Sequence, residues 1–402
     1  MRDGKYKPRE AFLRMFQDIE DGNPQMWDLA AYRVLDAEHH RTGAEWKIYP
    51  TYDFTHCIVD AFENITHSLC TTEFVQSRIS YEWLNKTLIN HLPAQPMQRE
   101  YGRLAITGTV LSKRKIAKLV NEGHVRAWND PRLYTLIALR RRGVPPGAIL
   151  EFVGSLGVTT NVTNIQLARF DQVIRQYLER TVPRLMLILD PIKVNITDAE
   201  ETDLDIAFSP KIPEFGSHKL RLTKTVYIDA SDFRESDATS DFYRLTPNQS
   251  VGLLHLPYPI KYVSHSKDAN RTTTIEAAYD KEIKKPKTYI QWVPEGSQTV
   301  ECRMYNSLFK SEKPDDAEGG FLKDINPESE VIYKNAMIEG GIEEVTRRAP
   351  WPEAENTSEN KLGAGGKESV RFQGLRVVCL FVLNFLELLT DVVASLGLFL
   401  SR

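Results

Sequence analysis

The chain has 402 residues, 42% of them hydrophobic and 26% charged, with a formal net charge of -3. That is the composition of an ordinary folded protein of two or three domains, and it excludes a disordered or generally basic nucleic-acid coat. Contact with nucleic acid must then come from local patches, of which "SKRK" at Ser112 to Lys115 and "RRR" at Arg140 to Arg142 stand out. The four cysteines, Cys57, Cys70, Cys302 and Cys379, are scattered, with no CxxC pair and no histidine at metal spacing. Reduced thiols are expected, with no metal centre. The opening "MRDGKYKPRE" is polar and lacks the apolar core of a signal peptide.

In chain order, the first hundred residues mix element types. An amphipathic run, "REAFLRMFQDI", precedes strand-like pieces at "AAYRVL" and "WKIYP". Next comes "THCIVDAFENITHSL", whose Ile58, Ala61, Phe62 and Ile65 share a helical face. This alternation suggests α/β. From Lys113 to about Val182 the text turns helical: "KRKIAKLVNEG" with Gly123 as its stop, "GAILEFVGSLG", and "IQLARFDQVIRQYLERTV". Beyond Pro183 the period becomes two, in runs such as "LMLILDPIKVNI", "KTVYIDA", "SVGLLHL", "RTTTIEAAY", "KTYIQWV" and "QTVECRMY". Many short strands without intervening helices predict antiparallel β-barrels. Residues 353–368 are poor in apolar side chains and read as a flexible loop.

The stretch "TVLSKRKI" poses a chemical question. Lys113, Arg114 and Lys115 stand in a first helical turn, where the helix dipole favours negative charge, so they are costly there unless an anion shares the site. A solvated junction is the plain explanation, and a triphosphate or a nucleic acid is the functional one.

Four long motifs then coincide in order: "IYPTYDFTHCIVDAFENITHSLCTTEF", "EYGRLAITGTVLSKRK", "DPRLYTLIALRRRGVPPGAI" and "INPES". They resemble the glutaminyl-tRNA synthetases, class I enzymes of the eukaryotic cytosolic type, over roughly Met1 to Arg376. The resemblance implies the second half of a class I Rossmann-type catalytic domain at 1–112 and a helical tRNA-contact subdomain at 113–185. It further implies a β-barrel anticodon-binding domain at 186–376 and leaves an apolar non-family tail at 377–402. It implies a cytoplasmic ligase that joins glutamine to tRNA(Gln) using ATP with Mg2+, and it allows a multi-synthetase assembly as a partner.

Site residues follow from the same motifs. "VLSKRK" is similar to the mobile signature loop that closes on ATP, so Lys113 and Ser112 are the implied catalytic residues. Thr71, Arg103, Leu104 and Leu111 would line the nucleotide with them. Glutamine would be held by Tyr52, His56, Cys70, Phe74 and Gln98. Glutamyl enzymes of the same branch carry Arg where this chain has Cys70, and a neutral amide needs a donor and an acceptor but no charge. For tRNA, the resemblance implies Arg140, Arg141, Arg142, Thr159, Thr160 and Asn161 on the inner side of the arm, with Arg184 and Arg244 at the anticodon. Leu254 departs from the basic residue of bacterial relatives, so the resemblance does not say how the first anticodon base is read. Without it, Arg103 would be read as a surface ion pair, Tyr52 as a core aromatic and Cys70 as a small buried hydrophobe.

No HIGH-type first signature occurs among the nine histidines, and an N-terminally truncated catalytic half joined to an intact tRNA-binding half is expected. A non-catalytic tRNA-binding fragment and a glutamyl enzyme of the same branch are the alternatives. Val377 to Leu400 is almost wholly apolar and long enough to span a bilayer, with Asn384, Glu387, Asp391 and Ser395 on one helical face. It is expected to be sequence foreign to the family, a membrane anchor being the second reading.

Overall fold

The helices expected from periodicity form close to where the sequence puts them. In the computed structural model, which describes residues 1–162, 164–236, 241–269, 271–352, 369–375, 379–383 and 391–395, the helices are α1 (Tyr52–Phe62), α2 (Ser77–Thr87), α3 (Lys113–Asn121), α4 (Leu136–Arg141), α5 (Pro146–Leu156), α6 (Leu167–Thr181) and α7 (Gly341–Arg348), of which α2 and α7 were not expected from the sequence. Gly123 ends the α3 turn with φ 76°, a left-handed conformation that glycine adopts without steric cost. The amphipathic run near the start contributes a three-residue strand, Phe12–Arg14, and no helix.

The chain divides into two compact units, Met1–Ala105 with Gly157–Asn164, and Ile106–Leu156 with Ile165–Arg402. In the first unit, Phe12–Arg14, Ala30–Val34 and Ile48–Pro50 make an antiparallel sheet, and His67–Thr71 pairs in parallel with Met97–Tyr101. Its core is Met15, Ala31, Cys57, Tyr81 and Leu84, between α1, α2 and the antiparallel sheet.

The second unit holds the helices α3 to α7 and two larger sheets. One has five strands in the order Ile260–Asp268, Arg271–Tyr279, Pro191–Ile196, Thr225–Asp229, Val293–Pro294. The other has seven, from Arg184–Leu185 through Arg371–Gly374, Cys379–Leu383, Asp391–Ser395, Gln298–Tyr305 and Glu330–Ile338 to Leu187–Ile188. The expected antiparallel barrels are corrected here: both sheets are mixed and open, with no closed barrel among the described residues. Pro191–Ile196 runs parallel to Arg271–Tyr279, and Gln298–Tyr305 parallel to Asp391–Ser395. Alternation marks a strand but says nothing of its partner, so parallel pairs are invisible to it.

The apolar tail supplies Cys379–Leu383 and Asp391–Ser395 as strands of the seven-stranded sheet, where a single helix would have carried Asp391 and Ser395 on one face with Asn384 and Glu387. Among the described residues, no helix is long and apolar enough to cross a membrane. The loop expected at 353–368 lies outside the described residues.

Leu185 and Leu187 enter one core of the second unit while Met186 and Ile188 enter the other. A third cluster joins Val110, Ile116, Leu119, Val125 and Leu133 to Leu308 and Phe309. Beside it, buried Asp130 accepts from Arg132 Nη2 at 2.9 Å and Nε at 3.0 Å and from the backbone N–H of Arg126 at 3.0 Å. Arg132 also donates to Ser329 Oγ at 3.1 Å, and Arg126 forks onto Glu330 at 2.9 and 3.0 Å.

Burial alone would raise the Asp130 carboxyl, but the Arg132 guanidinium and the two backbone donors hold it down to about 2. An unfolded Asp titrates near 3.9. The stabilisation is therefore complete above about pH 4 and lost as pH falls toward 2, amounting to ~2–3 kcal/mol. Asp130→Asn is expected to remove this component, so that urea stability of the variant changes less than that of the unaltered chain between about pH 5 and 2. Parallel pH profiles for the two proteins would refute the assignment.

Candidate functional site

Thr51, in extended conformation, precedes α1, and Tyr52, His56 and Asp60 follow at intervals of four on one helical face. The face is wired together. Tyr52 Oη lies 3.2 Å from His56 Nδ1, and His56 Nε2 lies 3.1 Å from Asp60 Oδ2. Asp60 also accepts from Ser68 Oγ, which is 2.8 Å from the Tyr81 hydroxyl. The rings of Tyr52 and His56 stack at 5.0 Å, Phe74 stands 6.1 Å from Tyr52, and Tyr81 meets His56 edge-on.

The parallel strand pair completes the pocket. Ser68 registers with Gln98 and Cys70 with Glu100, so alternation turns these four toward one face. Gln98 is buried and donates its amide N–H groups to the Phe74 carbonyl at 3.2 Å and to Glu100 Oε1 at 2.9 Å. Arg78, the nearby cation, is held by Glu100 at 3.3 Å. Burial pushes the Cys70 thiol up, Glu100 pushes it further, and Arg78 opposes both. Burial likewise raises the Tyr52 phenol, with Cys70, Asp60 and Asp53 adding to the effect. Tyr52, His56, Cys70, Phe74 and Gln98 are thus brought together, with Asp60, Ser68, Tyr81, Glu100 and Arg78 as partners that sequence reasoning missed. Only Asp60 had a signal, its spacing of four from His56.

In the same unit, half-buried Thr71 and exposed Glu73 and Arg103 form a group. Thr71 bonds the Glu73 carboxylate, which Arg103 meets at 3.5 Å. Leu104 is exposed beside it. The Gly102 N–H donates to the Thr159 carbonyl at 2.5 Å, and a Cβ on Gly102 would collide with the Asn161 carbonyl. The segment that begins "GRLA" is therefore seated directly on exposed Thr159, Thr160 and Asn161.

The second unit holds the basic turn. Ser112 is the N-cap of α3, its side chain makes no capping hydrogen bond, and no acidic residue stands in the first turn. Lys115 is neutralised by Asp315 at 2.5 Å and lies 5.9 Å over the Phe321 ring. The Gly108 N–H donates to the Glu312 carbonyl at 2.7 Å, and Val110 and Ile116 are buried against Leu308 and Phe309. Lys113 and Arg114 are left exposed, with Leu111 half-buried beside them. This turn presents backbone N–H groups and two cations to an anion.

The three arginines of "RRR" separate. Arg140 is exposed, and Arg141 donates to Asn129 Oδ1 at 3.5 Å. Arg142 is only 6% exposed and lies 5.0 Å from the Tyr134 ring centre, facing the core. Arg184 donates to Gln373 Oε1 at 2.9 Å, Arg244 pairs with Asp232 at 3.2 Å, and Leu254 is half-buried.

The sequence of the chain matches known families along most of its length. Residues 1–180 match the model of the class I (E and Q) tRNA synthetase catalytic domain, and residues 182–280 and 289–349 match two models of the anticodon-binding domain of the same class. A "Glutamine--tRNA ligase protein virJ" of Hypocrea virens is 62% identical over 382 residues, 94% of this chain and 58% of the relative. The "Glutamine--tRNA ligase" of Saccharomyces cerevisiae is 54% identical over 94% of this chain and 49% of its own length. A "Glutamine--tRNA ligase, cytoplasmic" of Arabidopsis thaliana is 42% identical over 84% of this chain and 44% of its own length. The chain spans about half the length of the curated relatives it matches. By these matches the chain belongs to the class I (E and Q) tRNA synthetases.

Proposed function

We propose that this chain serves the ATP-dependent attachment of glutamine to tRNA(Gln) in translation. In that reaction the glutamine carboxylate attacks the α-phosphorus of ATP and expels pyrophosphate. A ribose hydroxyl at the tRNA 3′ end then attacks the adenylate carbonyl and releases AMP. The relatives' names supply glutamine and the ligase activity, and one of them supplies the cytoplasm as the compartment. A multi-synthetase assembly is a further proposed partner. Unit one is read as the second half of a Rossmann-type catalytic domain and the two large sheets as the anticodon-binding part.

One observation carries the choice of glutamine: the file Tyr52, His56, Asp60 ends in a carboxylate. Asp60 accepts from Nε2–H, so in the neutral ring Nδ1 is the acceptor. The Tyr52 hydroxyl then donates to Nδ1 and offers a lone pair to the pocket. An amide N–H can donate to that lone pair. The carboxylate of glutamate, an acceptor only at neutral pH, meets it with repulsion. Cys70 adds no charge, and Gln98, with its N–H groups engaged, has its carbonyl oxygen left to hold a water against the substrate. His56 and Phe74 wall the space.

For ATP, Lys113 and Ser112 would meet the phosphates, and Leu111, Thr71, Arg103 and Leu104 the rest of the nucleotide. Mg2+ would arrive with the triphosphate, ligated largely by its oxygens and water. Transition-state charge gathers on the bridging and leaving oxygens, and a flexible ammonium is suited to it. For tRNA, Arg140, Arg141 and Thr159 to Asn161 would position the arm through phosphate and sugar contacts, and Arg184 and Arg244 would meet anticodon bases. Arg142, facing the core, is read as structural.

In glutamine activation by an enzyme containing this chain, Lys113→Ala is expected to lower kcat about 10²–10³-fold with tRNA affinity little changed. Pyrophosphate exchange and filter binding measure the two separately, and an unchanged kcat would remove Lys113 from the chemistry. Cys70→Arg is expected to lower kcat/KM for glutamine about tenfold or more and to raise relative use of glutamate, since a cation would face the side chain. Wild-type selectivity in that variant would show that the pocket lies elsewhere.

A further inference from the structure

The first turn of α3 carries its cations on both sides of a buried face. With about 100° of rotation per residue, Lys115 lies on one rim of the face formed by Ile116 and Leu119, Lys113 lies on the other rim, and Arg114 points away from it. Lys113 and Arg114 are exposed and Lys115 is half-buried. Only the Lys115 rim is occupied. Its Nζ meets Asp315 Oδ1 at 2.5 Å and stands 5.9 Å over the Phe321 ring, while Lys113 and Arg114 have no carboxylate partner among the described residues.

Asp315 is presented by a stiff loop. It follows buried Pro314 in the short 3-10 turn Pro314–Asp316, where the Asp316 N–H donates to the Lys313 carbonyl at 3.0 Å and the proline ring fixes φ. Ser311 donates its hydroxyl and its backbone N–H to Asp324 Oδ2 at 2.7 and 3.1 Å, which closes the loop at its base. The same loop accepts the Gly108 N–H at the Glu312 carbonyl, 2.7 Å away. One segment thus holds the stretch that leads into α3 and, through Lys115, the first turn itself.

A half-exposed ion pair contributes little to global stability, because solvent screens it and two side chains lose freedom in it. Its effect is on position. With the Lys115 rim tied to a stiff loop, fraying or rotation of the first turn is opposed, and the cation on the opposite rim keeps its place. A displacement of about 1 Å at a reacting group can cost about 10²-fold in rate. We propose that Lys115 and Asp315 are a positioning pair for the ATP step, holding the first turn of α3 so that Lys113 meets the triphosphate as charge develops on it. This rests on the reading of Lys113 as the cation of glutamine activation and assigns the residues that hold it there.

The test uses glutamine-dependent pyrophosphate exchange by an enzyme containing this chain. Asp315→Asn and Lys115→Met are each expected to lower kcat about 10-fold or more, with KM for ATP and the thermal midpoint little changed. Lys115→Arg is expected to keep kcat, and the exchanged pair, Lys115→Asp with Asp315→Lys, to recover most of what either single change loses. In the chain by itself, hydrogen exchange in the first turn of α3, as at the Ile116 N–H bonded to the Ser112 carbonyl at 2.9 Å, is expected to quicken in both single variants. If the single variants keep kcat and their first-turn protection, or if the exchanged pair loses as much as the two changes multiplied, this inference fails and the ligase reading stands. A fall in kcat matched by a large fall in thermal midpoint would also overturn it, since the pair would then serve the fold at large. If the unaltered enzyme shows no glutamine-dependent exchange, the ligase reading fails and takes the inference with it.

Discussion

Docking of α3 on the segment that follows Tyr305 is the interaction on which the rest of the second unit depends. Three cations in one helical turn repel each other and oppose the helix dipole, so the turn must be held by something other than its own charge. Burial of Ile116 and Leu119 with Val110 against Leu308 and Phe309 supplies that hold, at about 1.5–3 kcal/mol for each large side chain. Asp315 neutralises Lys115 and no carboxylate answers Lys113 or Arg114 among the described residues. The turn is thus held in place by packing, and the proposed phosphate contact of Lys113 would need no reorganisation of it. The "INPES" motif belongs to the same joint: Ile325 packs on the cluster and Ser329 receives Arg132.

A second constraint governs the sheets. The strand through Leu185 to Ile188 sends alternate side chains into two cores, so it has no face toward water and its backbone donors must be met inside. Buried Glu339 accepts the Met186 N–H at 2.7 Å and Gln291 accepts that of Leu187 at 3.1 Å. These buried polar residues serve the backbone, which is the usual reason for one in a core.

How much of this the sequence discloses follows from the range of each interaction. The helices at 113–121, 146–156 and 167–181 are set by local periodicity and glycine stops, and those were readable. Strand existence was readable as well, at Arg271–Tyr279 and Gln298–Tyr305 for example. Pairing was not, because Pro191–Ile196 meets Arg271–Tyr279 across a separation that no local pattern encodes. In the proposed glutamine site, Tyr52, His56, Cys70, Phe74 and Gln98 came through the resemblance, while Ser68 and Glu100 became visible only with the register of two parallel strands, and Tyr81 only through its contact with Ser68. Arg142 shows the limit in one residue. Three successive arginines look alike in sequence, and only the end of α4 decides that the third turns inward under Tyr134.

The environment of Cys70 bears on how the pocket ages. A thiol reacts with peroxide and with alkylating agents as the thiolate, and here burial and the Glu100 carboxylate both disfavour that form. The same surroundings therefore slow sulfenic acid formation at Cys70. Oxidation there would add oxygen and volume beside Tyr52, in the space proposed for the glutamine amide. The strand register that sets Cys70 opposite Glu100 is in this sense a form of chemical protection, exercised by geometry alone.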